Sequence, residues 1–212
     1  MRKLKQLWSD RRRWAKRGIV VIALFIGIQW LSFAAGAGQV IDEESGKPLE
    51  GVFAMASWTS SGPGIAVSST VCYAFSVTKT DNQGRFSIPS MSWNFNPLLW
   101  GRNRAMEFYL AGYETSPNDK PDSDVRKMRR FKGTVEKRLK DLTSVLYREP
   151  CVPDGERKVK LAPLYRAQFE EARDIATNAG EEKLVESLRL RYVSAEVGSE
   201  TYTKMLIDGQ IR

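Results

Sequence analysis

Positions 18–37 carry no charge at all, and the seventeen residues before them carry eight basic side chains against one acid, Asp10. No other feature limits the possible folds of this chain so strongly. At about 1.5 Å per residue, a helix of that length reaches about 30 Å, the thickness of a bilayer's hydrocarbon core. Gly18 to Ile28 is the strongest apolar run; Gln29 interrupts it, and Trp30, Leu31 and Phe33 extend it to Ala37. Lys and Arg stay on the cytoplasmic side, so residues 1–17 are expected inside and everything after 37 outside, in a periplasmic or extracellular space. Two fates fit the segment. Ala35-Gly36-Ala37 has the small-x-small form of a signal-peptidase site, which would give a protein secreted after cleavage at Ala37. Arg11-Arg12-Arg13-Trp14-Ala15-Lys16 also weakly resembles a twin-arginine export signal. The full spanning length favours the other fate, a retained single-pass anchor.

The same segment explains the charge. Formal net charge is +8, a value that on its own points to nucleic acid. The N-terminal cluster holds +7 of it, and the remaining 25 basic and 24 acidic residues leave +1. A nucleic-acid partner is therefore not expected; the expected partner is the membrane, through the N-terminal helix. Cys72 and Cys151 are the only cysteines and both fall on the oxidising side, where a disulfide is expected. Closing so long a loop would stabilise the fold by about 4–5 kcal/mol in the chain-entropy account.

From Ala37 to Pro117 the pattern is one of short strands separated by turns: Ala37–Asp42, Gly51–Thr59, Val67–Thr80, Arg85–Pro89 and Met106–Tyr113. In the third, Val71, Tyr73, Phe75 and Val77 alternate with Thr70, Cys72, Ala74, Ser76 and Thr78, which sets Cys72 on the face opposite Phe75. Regular short strands of this kind indicate a mainly β, antiparallel sandwich. After a polar break at Ser116–Asp124 the period turns helical. Val135, Leu139, Leu142 and Leu146 form one stripe behind a Thr134 cap; Leu161–Ala179 and Glu181–Val193 follow, with Asn178 and Gly180 as stop signals. Glu170, Glu171 and Arg173, with Glu181 and Glu182, look like a solvated face. The expected organisation is 1–17 basic segment, 18–37 anchor or signal peptide, 38–117 sandwich, 118–197 helical extension and 198–212 mobile tail.

Gly38-Gln-Val-Ile-Asp42 with Gly46-Lys-Pro-Leu-Glu-Gly-Val52 resembles the opening of carboxypeptidase regulatory-like domains, which share the transthyretin-like sandwich. Thr80-Asp81-Asn-Gln-Gly84-Arg-Phe86-Ser-Ile88 and Ala111-Gly112-Tyr113 are similar to that family's later hallmarks. The resemblance implies a fold and an accessory role, and it brings no catalytic residues. Gly46 and Gly84 are placed where a turn calls for positive φ.

The chain has no histidine, which removes Ser-His-Asp and Cys-His catalysis and histidine-ligated metals. No catalytic, metal or cofactor residue is assigned. Asp119, Asp122 and Asp124 lack the glycine and terminal Glu of a calcium loop and read as a polar linker. The segment Met91–Arg104 is an aromatic loop. Within it Trp93, Phe95, Trp100, Arg102 and Arg104 form a candidate recognition surface, because Trp and Arg are enriched where partners bind. The plainer reading of the same side chains is a cover over the sandwich core or a seat for the helical tail, and Trp near the membrane also suits the lipid interface. The expected function is a non-enzymatic extracytoplasmic module binding a protein or glycan of the envelope, or serving there structurally. The alternatives are a histidine-independent carboxylate hydrolase, and an envelope-complex subunit docking through its helical tail.

Overall fold

The computed structural model describes residues 18–20, 36–62, 69–88, 100–121, 123–148, 155–198, 201 and 204–205. Among the described residues, helical residues 18–20 precede seven strands: β1 (Gly36–Asp42), β2 (Phe53–Gly62), β3 (Ser69–Lys79), β4 (Arg85–Ile88), β5 (Trp100–Tyr109), β6 (Tyr113–Thr115) and β7 (Val125–Arg130). Three helices follow: α1 (Val135–Arg148), α2 (Gly155–Ile175) and α3 (Ala179–Val197). Most of the expected membrane segment lies outside the described residues. Among the described residues, no helix is long and apolar enough to cross a membrane.

The strands form two sheets. Sheet A has the order β4-β1-β7-β6 and sheet B the order β3-β2-β5. They pack face to face through Val40, Phe86, Ile88 and Met128 from sheet A and Ala54, Ala56, Trp58 and Phe108 from sheet B. The other face of sheet B carries Phe53, Met55 and Tyr109, and the helices cover it with Leu139, Leu142, Leu161, Leu164 and Leu188. Each fully buried side chain of this size stabilises the fold by about 1.5–3 kcal/mol relative to exposure. The result is three layers, with sheet B buried on both sides.

The segments of the resemblance lie against one another. Asp42 Oδ1 accepts from the Glu44 and Ser45 amides at 2.9 and 2.8 Å, closing the first turn. Gly46 and Gly84 take φ values of 67° and 69°, as their turns require. Thr80, buried, joins the two stretches: its hydroxyl accepts from the Val52 amide at 2.9 Å and donates to the Leu49 carbonyl at 2.7 Å. Gly38 is required for a different reason. A Cβ there would lie 2.5 Å from the Asp124 carbonyl oxygen and 3.0 Å from the Phe86 ring.

The structure differs from the sequence reading at four places. Val125–Arg130, assigned to the helical extension, is β7 and lies inside sheet A, with Arg126 and Met128 buried. Its pairing with β1 is parallel, Gln39 opposite Val125 through Asp42 opposite Met128, so the sandwich is antiparallel in all but this pair. Trp100–Arg104 belongs to strand β5 rather than to a loop, held by β2 with Arg104 opposite Trp58 and Asn103 opposite Thr59. Asn178 begins a helix instead of ending one, its side chain accepting from the amides of Gly180 and Glu181.

Candidate functional site

The most heavily satisfied polar cluster lies between sheet B and the helices. Leu161, Leu164 and Ala172 bring α2 down onto the sheet, and Glu171, beside Ala172 on that stripe, comes down with them. Its Oε1 accepts from Arg138 Nε of α1 at 2.8 Å and from the Gly112 amide at 2.8 Å. Its Oε2 accepts from Arg138 Nη2 at 3.0 Å and from the Tyr109 hydroxyl at 2.8 Å. Four donors fill the capacity of one carboxylate. Arg138 further approaches the Leu110 carbonyl at 3.5 Å and lies 5.3 Å from the Phe131 ring centre. Tyr109, Arg138 and Glu171 are each at most 9% exposed. Burial, then the neighbouring Glu171 charge, pushes the Tyr109 hydroxyl far above the usual tyrosine range, so it stays neutral and donates. The cluster joins β5, the β5–β6 turn, α1 and α2, and leaves no lone pair of Glu171 for a substrate.

A second buried pair closes the loop before β7. Asp119 accepts from Arg126 Nε at 2.9 and 3.1 Å, from Arg126 Nη2, and from the Lys127 amide at 2.8 Å. The Arg126 guanidinium stacks 4.6 Å from the Phe108 ring centre. Glu43 accepts from the Ser116 hydroxyl at 2.7 Å and the Asn118 amide group at 2.8 Å, which ties the same loop to the end of β1. Asp119, read from the sequence as part of a polar linker, is thus committed to an internal pair.

Proton-transfer chemistry calls for a carboxyl held protonated near neutral pH by burial or a like charge. Among the described residues, the carboxyl groups that depart clearly from ordinary behaviour all move the other way. Amide donors hold Asp42, Asp81 and Glu181 low, through Ser45, Arg85 and Thr177 respectively. The Asn118 side chain does so for Glu43 and the Arg189 guanidinium for Glu186. Each is a stabilised carboxylate, suited to hold a turn and poorly suited to give up a proton. Among the described residues, no three metal-ligating side chains converge.

The residues singled out from the sequence fall into two groups. Trp93, Phe95 and Cys151 lie outside the described residues. Trp100, Arg102 and Arg104 are strand positions at the start of β5, with Arg104 exposed. Cys72 is half-buried on β3, and its position departs from the simple alternation of the sequence. The β2–β3 register runs Ser57 to Phe75 and Trp58 to Ala74, then jumps to Thr59 opposite Cys72. The extra residue, Tyr73, is a β-bulge, and beyond it the alternation is reversed. Thr59 shares a face with Ser57, so Cys72 falls on the same side of sheet B as Phe75, the side the helices cover.

Glu171 was missed because it stands in a run of charged residues, Glu170-Glu171-Ala172-Arg173-Asp174. The signal was available in the spacing: Leu164, Gln168, Glu171 and Ile175 continue one helical stripe at steps of four, three and four. No protein-family model, no curated protein and no solved structure matches this chain.

Proposed function

We propose that this chain is a non-enzymatic module held at the outer face of a membrane by residues 18–37, binding a protein or glycan of the envelope or bracing it. The observation that carries the reading is the start of β1. The first strand begins at Gly36, inside the last two residues of that segment, and Gly36 and Ala37 pair with Ile88 and Ser87, which leaves 18–35 to span. A spanning segment joined to the sheet without a linker holds the sandwich against the bilayer. It also favours retention, since cleavage after Ala37 would remove two paired residues from β1. The non-enzymatic part of the reading draws on the missing histidines and on the carboxylates already engaged by Arg138, Arg126 and backbone amides. A carboxypeptidase regulatory-like sandwich, usually an accessory beside another activity, suits such a role.

The same reading includes a Cys72–Cys151 bridge. Cys72 faces the helical layer, and Cys151 lies in the sequence connecting α1 to α2. Two reactive thiols on titration of the denatured, exported protein would remove the bridge. The main reading is tested by fractionating cells. The expected result is a chain of unreduced mass that resists carbonate extraction and is digested by protease added from outside. A soluble product shortened by about 37 residues, or a domain protected on the inner side, would overturn it.

A further inference from the structure

We infer that Gly112 couples two closures of this fold, so that the helical layer is held on sheet B only while β7 completes sheet A. The inference goes beyond the anchored-module reading and does not depend on it. It starts from the β5–β6 turn, residues 110–112, which links sheet B to sheet A. Both sides of the molecule take hold of this turn. From sheet A, Tyr113 of β6 pairs with Arg130, and the next amide, that of Phe131, donates to the Gly112 carbonyl at 2.9 Å. From the helices, Glu171 accepts from the Gly112 amide at 2.8 Å, and Arg138 Nη2 approaches the Leu110 carbonyl at 3.5 Å. The Leu110 carbonyl also accepts from the Tyr113 amide at 3.0 Å, which closes the turn.

The two holds are not independent. The N–H and C=O of one residue share its φ and ψ, so aiming the carbonyl at Phe131 fixes where the amide points. Gly112 does this at a φ of 74°, in the left-handed region that side chains disfavour. A Cβ there would meet nothing within 4 Å. Glycine is needed for the angle and not for space, and both hydrogen bonds depend on that angle.

The connection from β7 to α1 adds a second link. The Phe131 ring folds back onto Gly133, leaving no room for a Cβ, and the Arg138 guanidinium lies 5.3 Å from the ring centre. The cation that holds Glu171 thus rests on the residue whose amide holds Gly112. With β7 open, Glu171 loses the aimed amide and the seated guanidinium together. The outer face of sheet B, with Phe53, Met55 and Tyr109, then lacks its cover, as in an unfinished chain. Linkage is reciprocal, so docked helices hold β7 closed by the same factor.

The test is hydrogen exchange under native conditions, followed by NMR on the full chain in mild detergent. Ala172→Gly loosens α2 and should speed its amides about fivefold. The amides of β7 and Phe131 should speed by the same factor, because β7 does not open beneath docked helices. In Gly112→Ala the left-handed angle is disfavoured by about five- to thirtyfold, and the β7 amides should no longer respond to Ala172→Gly. Gly112→Asn, which tolerates a positive φ, should keep the response. In the unaltered chain the β7 amides should open at a lower free energy than those of β2, which report global unfolding. Three results would each overturn the coupling: β7 amides indifferent to Ala172→Gly, an equal response in Gly112→Ala, or β7 and β2 opening at one common free energy. The first and the last decide the matter even where Gly112→Ala does not fold.

Discussion

Sheet B is covered on both faces, and the two coverings are made differently. Toward sheet A the contact is apolar through its middle, where Ala54 and Ala56 make room for Phe86, Ile88 and Met128, and short turns tie the two sheets covalently. The buried Arg126–Asp119 pair lies wholly within sheet A and the loop before β7. Toward the helices the contact is also apolar but has a buried ionic key, Tyr109–Glu171–Arg138, that joins the two layers. The contrast teaches what an apolar face can and cannot specify. Alternation in a strand says which side is covered. It does not fix where along that side a helix rests, because an apolar helical stripe slides over an apolar sheet at little cost. A carboxylate that must find one guanidinium, one hydroxyl and one amide at once allows only one position.

The largest expected effect comes from breaking that key. Arg138→Met leaves the Glu171 carboxylate buried without its cation, at a cost of about 3–5 kcal/mol. Urea melts followed by helical and by tryptophan signals should separate, the helical signal going first; coincident melts would show that the two faces form one cooperative unit. Arg138→Met with Glu171→Met should recover most of the loss, since an apolar pair in that place is nearly neutral. Failure to recover would mean that the key contributes stability as well as position.

Tyr109→Phe removes one donor to a charged acceptor and should cost about 1.5–3 kcal/mol. It carries a pH signature as well. The Tyr109 pKa is raised above the ordinary 10.0, so its contribution is complete below that value and is lost as the pH climbs beyond it. Stability profiles should therefore fall less steeply on the alkaline side in the Phe variant. The inner face gives the matching test. Gly38→Ala drives a methyl into the Asp124 carbonyl and the Phe86 ring, and overpacking of this kind costs about 1–3 kcal/mol. Its effect should appear in the sandwich signals and spare the relative stability of the helices.

The smallest effect lies at the acid end. The backbone amide of Arg85, more than its side chain, holds the Asp81 carboxyl below its ordinary 3.8, so its contribution is present above that value and lost as the pH falls through and below it. Asp81→Asn should flatten the acid limb of the stability profile slightly and leave the alkaline limb unchanged.

Much of the architecture was legible in the sequence. Turn residues at 44–48 and 81–84 and the alternation at 52–56 and 85–88 announce strands because each of these strands has one apolar face. β7 was not legible, and its composition shows why. Val125-Arg-Lys-Met-Arg-Arg130 has four basic residues in six, and the inward position a sandwich would normally give to Val or Ile is Arg126. Its stem and planar head lie over Phe108 and its charge is matched by Asp119, so a nominally polar residue does the work of an apolar one. Glu171 escaped for the same reason on a helix. The face assignment of Cys72 failed through Tyr73, since a bulge is a property of the pairing with β2 and leaves no mark in β3 alone. Charges buried in pairs and irregular registers depend on partners distant in sequence, and local periodicity does not see them.

The parallel pairing of β1 with β7 has a consequence for the order in which the chain assembles. Gln39 lies opposite Val125, 86 positions later, while every strand of sheet B is complete by Tyr109. In a chain that emerges N-terminus first, β2, β3 and β5 can pair while β1 still lacks one neighbour, its open edge waiting for residues 125–130. Long-range pairings of this kind close late. Until then β1 is also the strand most exposed to wrong partners, and the stretch that ends the exposure is the strongly basic one that carries the buried Arg126.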